Sequence, residues 1–301
     1  MGRKAVSGEI LEELIMKYIL VITAAALFSG QFIFQRRYGK TEGDGLRAAL
    51  IFGLLTSLVR IPLCFAIYGM HYEFTPYGLG IAALSAAASI GTVCFSAKAF
   101  GCTNMALYSM FMMLGGMALP FAAGLFFFGE PLTPGKGIGC LLVIAAMLLG
   151  TSLKTGGGFA GLRYCLAVFV FNGMAGVLAK FNQHGGRGLD SGAYFLAGGV
   201  LSALICSAAL FLRFRKEKLR FLVTPGAALS AAALFGICSG LGNLFLLIAL
   251  ETLPASVQYP LVTGGTIALS ALFGLIRHEK LTARVLAAIL LAAVSAVVVA
   301  L

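Results

Sequence analysis

The sequence predicts an all-α membrane protein whose ten transmembrane helices form two inverted five-helix repeats. Three observations predict it: a composition too apolar for water, apolar runs of membrane-crossing length, and an internal echo 149 residues apart. Of 301 residues, 60% are hydrophobic and only 11% charged, against roughly 25% charged in soluble domains. Too few charges remain to clothe a water-facing surface. The echo is Gly115-Gly116 then Glu130-x-Leu132-Thr133, repeated as Gly264-Gly265 then Glu279-x-Leu281-Thr282. Without a gap, 98–152 aligns with 247–301, and ten of the 55 positions are identical. Apolar matches are cheap in so greasy a chain, so the glycine pairs and the Glu-x-Leu-Thr carry the duplication.

A helix crosses the bilayer core with about 20 apolar residues. The first such segment, 18–36, carries Gln31 and ends at Arg36-Arg37. No Ala-x-Ala-like site follows it, so it is expected to stay in the protein. The second, 46–69, contains Arg60 and Pro62. The third, 77–100, nears its end at Lys98, and the fourth, 104–128, holds Tyr108, Gly115-Gly116 and Pro120. The fifth, 135–153, starts after the first Glu-x-Leu-Thr. The sixth, 161–182, carries Asn172 and Lys180. The seventh, 192–213, runs into a basic stretch from Arg213 to Arg220. The eighth, 226–250, carries Asn243, and the ninth, 254–276, holds Gln258, Tyr259 and Gly264-Gly265. The tenth, 282–301, follows the second Glu-x-Leu-Thr. The chain thus divides into an N-terminal segment (1–17), a first repeat (18–153) and a second repeat (159–301).

Five crossings per copy is odd, so the second copy enters the membrane from the side opposite the first. Many secondary transporters use this arrangement to set a site at the bilayer midplane. The N-terminus and the even-numbered connections hold six basic residues: Arg3, Lys4, Lys17, Lys136, Lys180 and Arg187. Fifteen lie on the other side, and Arg60 is the remaining one, inside the second segment. The excess of Lys and Arg marks the cytoplasmic side, so both termini are expected outside a cell membrane.

Several function classes drop away. The net charge of +11 is spread over helix ends, and its one dense run follows a hydrophobic helix. That pattern is a positive-inside anchor, not a nucleic-acid surface. The seven cysteines show no Cys-x-x-Cys or Cys/His spacing, so no metal, cofactor or disulfide framework is expected. No P-loop is present to use ATP. The three histidines, His71, His184 and His278, all sit at connections, which leaves an intramembrane catalytic cluster hard to assemble and argues against an enzyme. All eleven acidic residues fall in connections or at helix ends. A mid-membrane carboxylate is costly and usually functional, and its absence speaks against proton-coupled export of lipophilic cations. Neutral, zwitterionic or anionic solutes fit better.

The stretch Gly129-Glu130-Pro131-Leu132-Thr133 with Gly137, its counterpart His278-Glu279-Lys280-Leu281-Thr282, and Ser256-x-Gln258-Tyr259-Pro260 carry a resemblance. With them the chain resembles the drug/metabolite transporter superfamily, and within it the ten-helix EamA-type branch. The first half departs from the pattern, with Phe111 standing opposite Pro260 and Phe28 near where a tryptophan is often found. The resemblance implies a secondary transporter, commonly an exporter of amino acids, drugs or metabolites, working by alternating access. Its partners would be a small-molecule substrate and the lipid bilayer, with no nucleic acid; a homodimer stays open. Uptake or exchange of a sugar, nucleobase or vitamin-like solute is the alternative, and a non-transporting scaffold a third reading.

Candidate binding residues are the polar groups at lipid depth. Arg60 lies roughly 12 Å inside the second helix at about 1.5 Å per residue. It either snorkels or meets a carbonyl freed by Pro62, or else contacts an anionic group of the solute. Gln31, Asn172, Asn243 and Gln258 bring amides that need partners there. Each could bond between helices or face a central cavity. Tyr108 and Tyr259 begin the fourth and ninth helices, as interfacial aromatics or as pocket residues. Gly115-Gly116 and Gly264-Gly265 are expected to let helices approach closely. Glu130 and Glu279 are expected to cap or tether their turns.

Overall fold

The computed structural model describes residues 2–129, 133–150, 158–214, 225–250, 255–278 and 282–300, with side chains from residue 15 onward except at 136, 140, 143, 147, 148, 150, 158–160, 185, 247–250, 255–260, 296, 299 and 300. Among these residues there is no strand. The helices are α1 (Gly2–Glu42), α2 (Leu46–Tyr68), α3 (Pro76–Cys102), α4 (Met105–Phe127), α5 (Pro134–Gly150), α6 (Gly158–Gln183), α7 (Ser191–Phe214), α8 (Gly226–Leu250), α9 (Ala255–Ile276) and α10 (Ala283–Ala300). Seven are long and apolar enough to cross a membrane: α1 over Ile15–Glu42, α2, α3, α4, α6, α7 and α8. The apolar stretches of α5, α9 and α10 are shorter. Glu130 and Glu279 lie outside the described residues.

Helix α1 is longer than the apolar run suggests. It starts at Gly2 instead of near 18 and ends at Glu42, so Arg36, Arg37 and Lys40 occupy its last turns. Cations there complement the helix dipole, and Gly43, at φ 83°, supplies the left-handed residue that stops it. Other starts are capped by side chains. Thr75 accepts from the Gly78 amide at 3.1 Å, Asn104 from Leu107 at 2.8 Å, and Asp190 from Ala193 at 2.6 Å. Each such cap contributes about 1 kcal/mol.

The packing has a regular form. Helix α1 lies against α8, as α6 lies against α3; α4 lies against α6, as α9 lies against α1; α3 lies against α7, as α8 lies against α2. Three further pairs are α2 with α7, α4 with α9 and α5 with α10. Moving every helix five places along the chain exchanges the first three couples and returns each of the last three to itself. The turns echo as well. Gly129 after α4 and His278 after α9 stand 149 residues apart, and both are left-handed, at φ 65° and 57°.

Small residues set the closest approach. A Cβ on Gly115 would collide with the backbone carbonyl of Phe169 in α6, and one on Gly173 would come within 2.5 Å of the Gly115 carbonyl. Gly265 faces α1, where its Cβ would meet Ala25 at 3.1 Å. The main buried cluster centres on Tyr108, Phe111 and Leu114 of α4, with Phe32, Val168 and Ile267 from α1, α6 and α9. Outward, large apolar side chains stand free, including Phe126 (82% exposed) and Leu212 (72%). Water would penalise that surface by about 25 cal/mol per Å²; hydrocarbon would not. The chain has the make-up of a multi-pass integral membrane protein.

Candidate functional site

Between the helices lies a cavity of ≈ 490 Å³, within the size range of small-molecule sites. Its walls come from α2, α3, α4 and from α6, α7, α8, so both halves of the chain build it. Helix α2 presents Thr56, Ser57 and Arg60; α3 presents Ser85, Ser89 and Thr92; α7 presents Tyr194 and Ser202; α8 presents Ser239 and Asn243. Along α2 the lining runs from Gly53 to Tyr68, about 22 Å at 1.5 Å per residue. At the Tyr68 end the cavity reaches the helix termini at Gln183 and Ser191. At the Gly53 end it meets an aromatic stack. Phe235 lines the cavity and rests on Phe52, 4.9 Å between ring centres, and Phe52 rests on Tyr38 at 4.7 Å. The Tyr38 hydroxyl donates to the Ala48 carbonyl at 3.0 Å, which pins the stack to α2.

Arg60 supplies the only charge among the described lining residues. Its guanidinium sits 3.8 Å above the centre of the Phe195 ring. Gly198 packs beside its guanidinium and Gly199 beside its stem. The Nε is buried and has no hydrogen-bond partner. Arg60 therefore neither meets a carbonyl freed by Pro62 nor pairs with a carboxylate among the described residues. Tyr68 and Tyr194 are within electrostatic reach, and the Tyr194 hydroxyl faces Ser85 without reaching hydrogen-bond geometry. Asp190 nearby spends Oδ1 on the Ala193 amide. Arginine at mid-helix costs about 3 kcal/mol on insertion scales, and a desolvated cation–π contact offsets about 2.

Two of the amides reach this cavity. Asn172 lines it and donates from Nδ2 to the Met112 carbonyl at 2.8 Å, so its Oδ1 stays available. Asn243 lines it too and bonds its own helix at Ser239 at 2.7 Å. Gln31 is buried in α1 away from the lining, with Oε1 unpartnered. Tyr108 is in the core instead. Its hydroxyl lies 2.7 Å from Ser96, 3.1 Å from Met112 Sδ and 3.2 Å from Gln35 Oε1, and its ring meets Phe32 and Phe100. Gln258 and Tyr259 belong to α9, but their side chains lie outside the described residues.

The sequence reading passed over Phe195, Tyr194 and the α3 hydroxyls. The hydroxyls had a signal: Ser85, Ser89 and Thr92 follow the three-to-four spacing of one helix face. Phe195 had none, since one more phenylalanine in an apolar helix reads as packing. Among the described residues no three His, Cys, Asp or Glu side chains gather as a metal site would require.

No protein-family model and no curated protein matches the chain. Solved structures do match it. One of them, a crystal structure of a protein, is 20% identical and aligns over 94% of this chain and 96% of its own, with a TM-score of 0.56. The chain shares that fold.

Proposed function

We propose that this chain is a secondary transporter, with ten membrane crossings in two inverted five-helix repeats. It would export a small polar metabolite, amino-acid-like compounds first, by alternating access across the cell membrane. The observation that carries the reading is the polar cavity walled by both halves of the chain. The five-place exchange of helix pairings supports the duplication, as do the left-handed turns at Gly129 and His278. An odd number of crossings per copy then requires inversion. A scaffold would have no use for a cavity lined with hydroxyls, amides and a lone cation. The resemblance to EamA-type transporters points the same way.

With both termini outside, the helix ends at Tyr68, Gln183 and Ser191 face outward, and the Phe235–Phe52–Tyr38 stack closes the cytoplasmic side. The reading is tested with purified protein in lipid vesicles. Saturable flux of an amino-acid-like solute above protein-free vesicles is expected, and its response to an imposed pH gradient separates coupled from facilitated movement. Flux of sugars, nucleobases or vitamins alone would favour the alternative substrate class. No flux of any polar solute would return the chain to a scaffold.

A further inference from the structure

Resting on that transport reading, we infer that the solute carries a carboxylate that docks on Arg60, while its other polar groups bond the α3 and α8 walls. The described lining carries one positive charge and no negative one. A cationic solute would meet an uncompensated like charge. A neutral solute would leave the guanidinium dehydrated and unpaired. A zwitterion such as an amino-acid-like solute meets the requirement through its carboxylate, and hydroxyl and amide oxygens of the lining can accept from its ammonium group. A carboxylate is what the one described charge of the lining calls for.

Arg60 is also held as a receptor would hold it. The Phe195 ring occupies one side at 3.8 Å, and Gly198 and Gly199 of α7 pack beside the guanidinium and the stem, while the side chain lines the cavity. A guanidinium donates in its own plane in a fork that matches a carboxylate. Ser85, Ser89, Thr92 and Ser239 then offer hydroxyls to the body of the solute. A single cation suits a single carboxylate better than the double charge of a phosphate.

The test uses matched probes, lactate with lactamide and gluconate with glucose, plus inorganic phosphate. Thermal unfolding of purified protein reports binding, and vesicle flux reports transport. Wild-type protein is expected to bind and move at least one carboxylate ten-fold or more above its uncharged counterpart. Arg60→Gln should abolish that preference, and Arg60→Lys should restore part of it. Ser57→Asp places a carboxylate three residues from Arg60 on the same face, so it should block anion binding with Arg60 intact. All three variants are first checked for a monodisperse, helical fold. Uncharged probes matching the carboxylates, unchanged carboxylate binding in Arg60→Gln and Ser57→Asp, or binding of phosphate alone would each overturn the inference. Movement of neutral solutes in those cases leaves transport standing. Carboxylate binding that vanishes in both variants, without flux in wild type, keeps the anion site and removes the transport reading instead.

Discussion

At residue scale, two side chains separate structural from functional polarity. Tyr108 is fully buried and ringed by Ser96, Met112 and Gln35, so Tyr108→Phe is expected to cost about 1–3 kcal/mol by leaving buried groups unpartnered. Thermal unfolding should show the loss, while solute selectivity stays unchanged. His278 holds a left-handed backbone at φ 57°, and Gly129, 149 residues earlier, does so at φ 65°. His278→Gly should therefore stabilise by about 1 kcal/mol, the usual steric penalty there, read as a higher unfolding temperature. Arg60 was legible as the deepest charge, because any arginine amid Leu58-Val59 and Ile61-Pro62 stands out. Its partner was not, since the choice of Phe195 depends on how α2 and α7 cross. Tyr108 misled for the converse reason. A tyrosine at a helix start reads as interfacial, but this one packs between Phe32 of α1 and Phe100 of α3.

At element scale, the repeated glycines have diverged in role. Gly115 touches the α6 backbone so closely that a Cβ would strike the Phe169 carbonyl, while a Cβ on Gly264 would sit 3.5 Å from the Ala293 carbonyl. Gly115→Ala should destabilise by about 1–3 kcal/mol through overpacking. Gly264→Ala should be neutral or slightly stabilising, because alanine favours helix by about 1 kcal/mol. A matched pair of melting curves checks the contrast. The sequence marked both pairs as close-packing sites but could not rank them, since packing distance is a tertiary quantity. The aromatic stack makes a second element-scale prediction. Phe235→Ala removes the ring between the cavity and Phe52, and should raise leak of a small solute several-fold in vesicles with little change in its selectivity.

At the scale of the whole molecule, the transport proposal joins the 149-residue echo in the sequence to the cavity walled by both halves of the chain. Helix order, apolar length and the 149-residue echo were readable because bilayer thickness and backbone hydrogen bonding restrict what a greasy chain can do. The cavity was readable only in its chemistry. Which polar residues meet depends on pairings such as α2 with α7 and α3 with α6, and no local pattern encodes those. The account's central claim is that solute passes through this cavity between the halves. Ser89 lines it from α3, so Ser89→Trp should fill the passage without touching Arg60. The measurement is saturable flux into vesicles carrying equal amounts of folded wild-type or Ser89→Trp protein. The account predicts flux in the wild type, reduced at least ten-fold in the variant. Equal flux through both would contradict it.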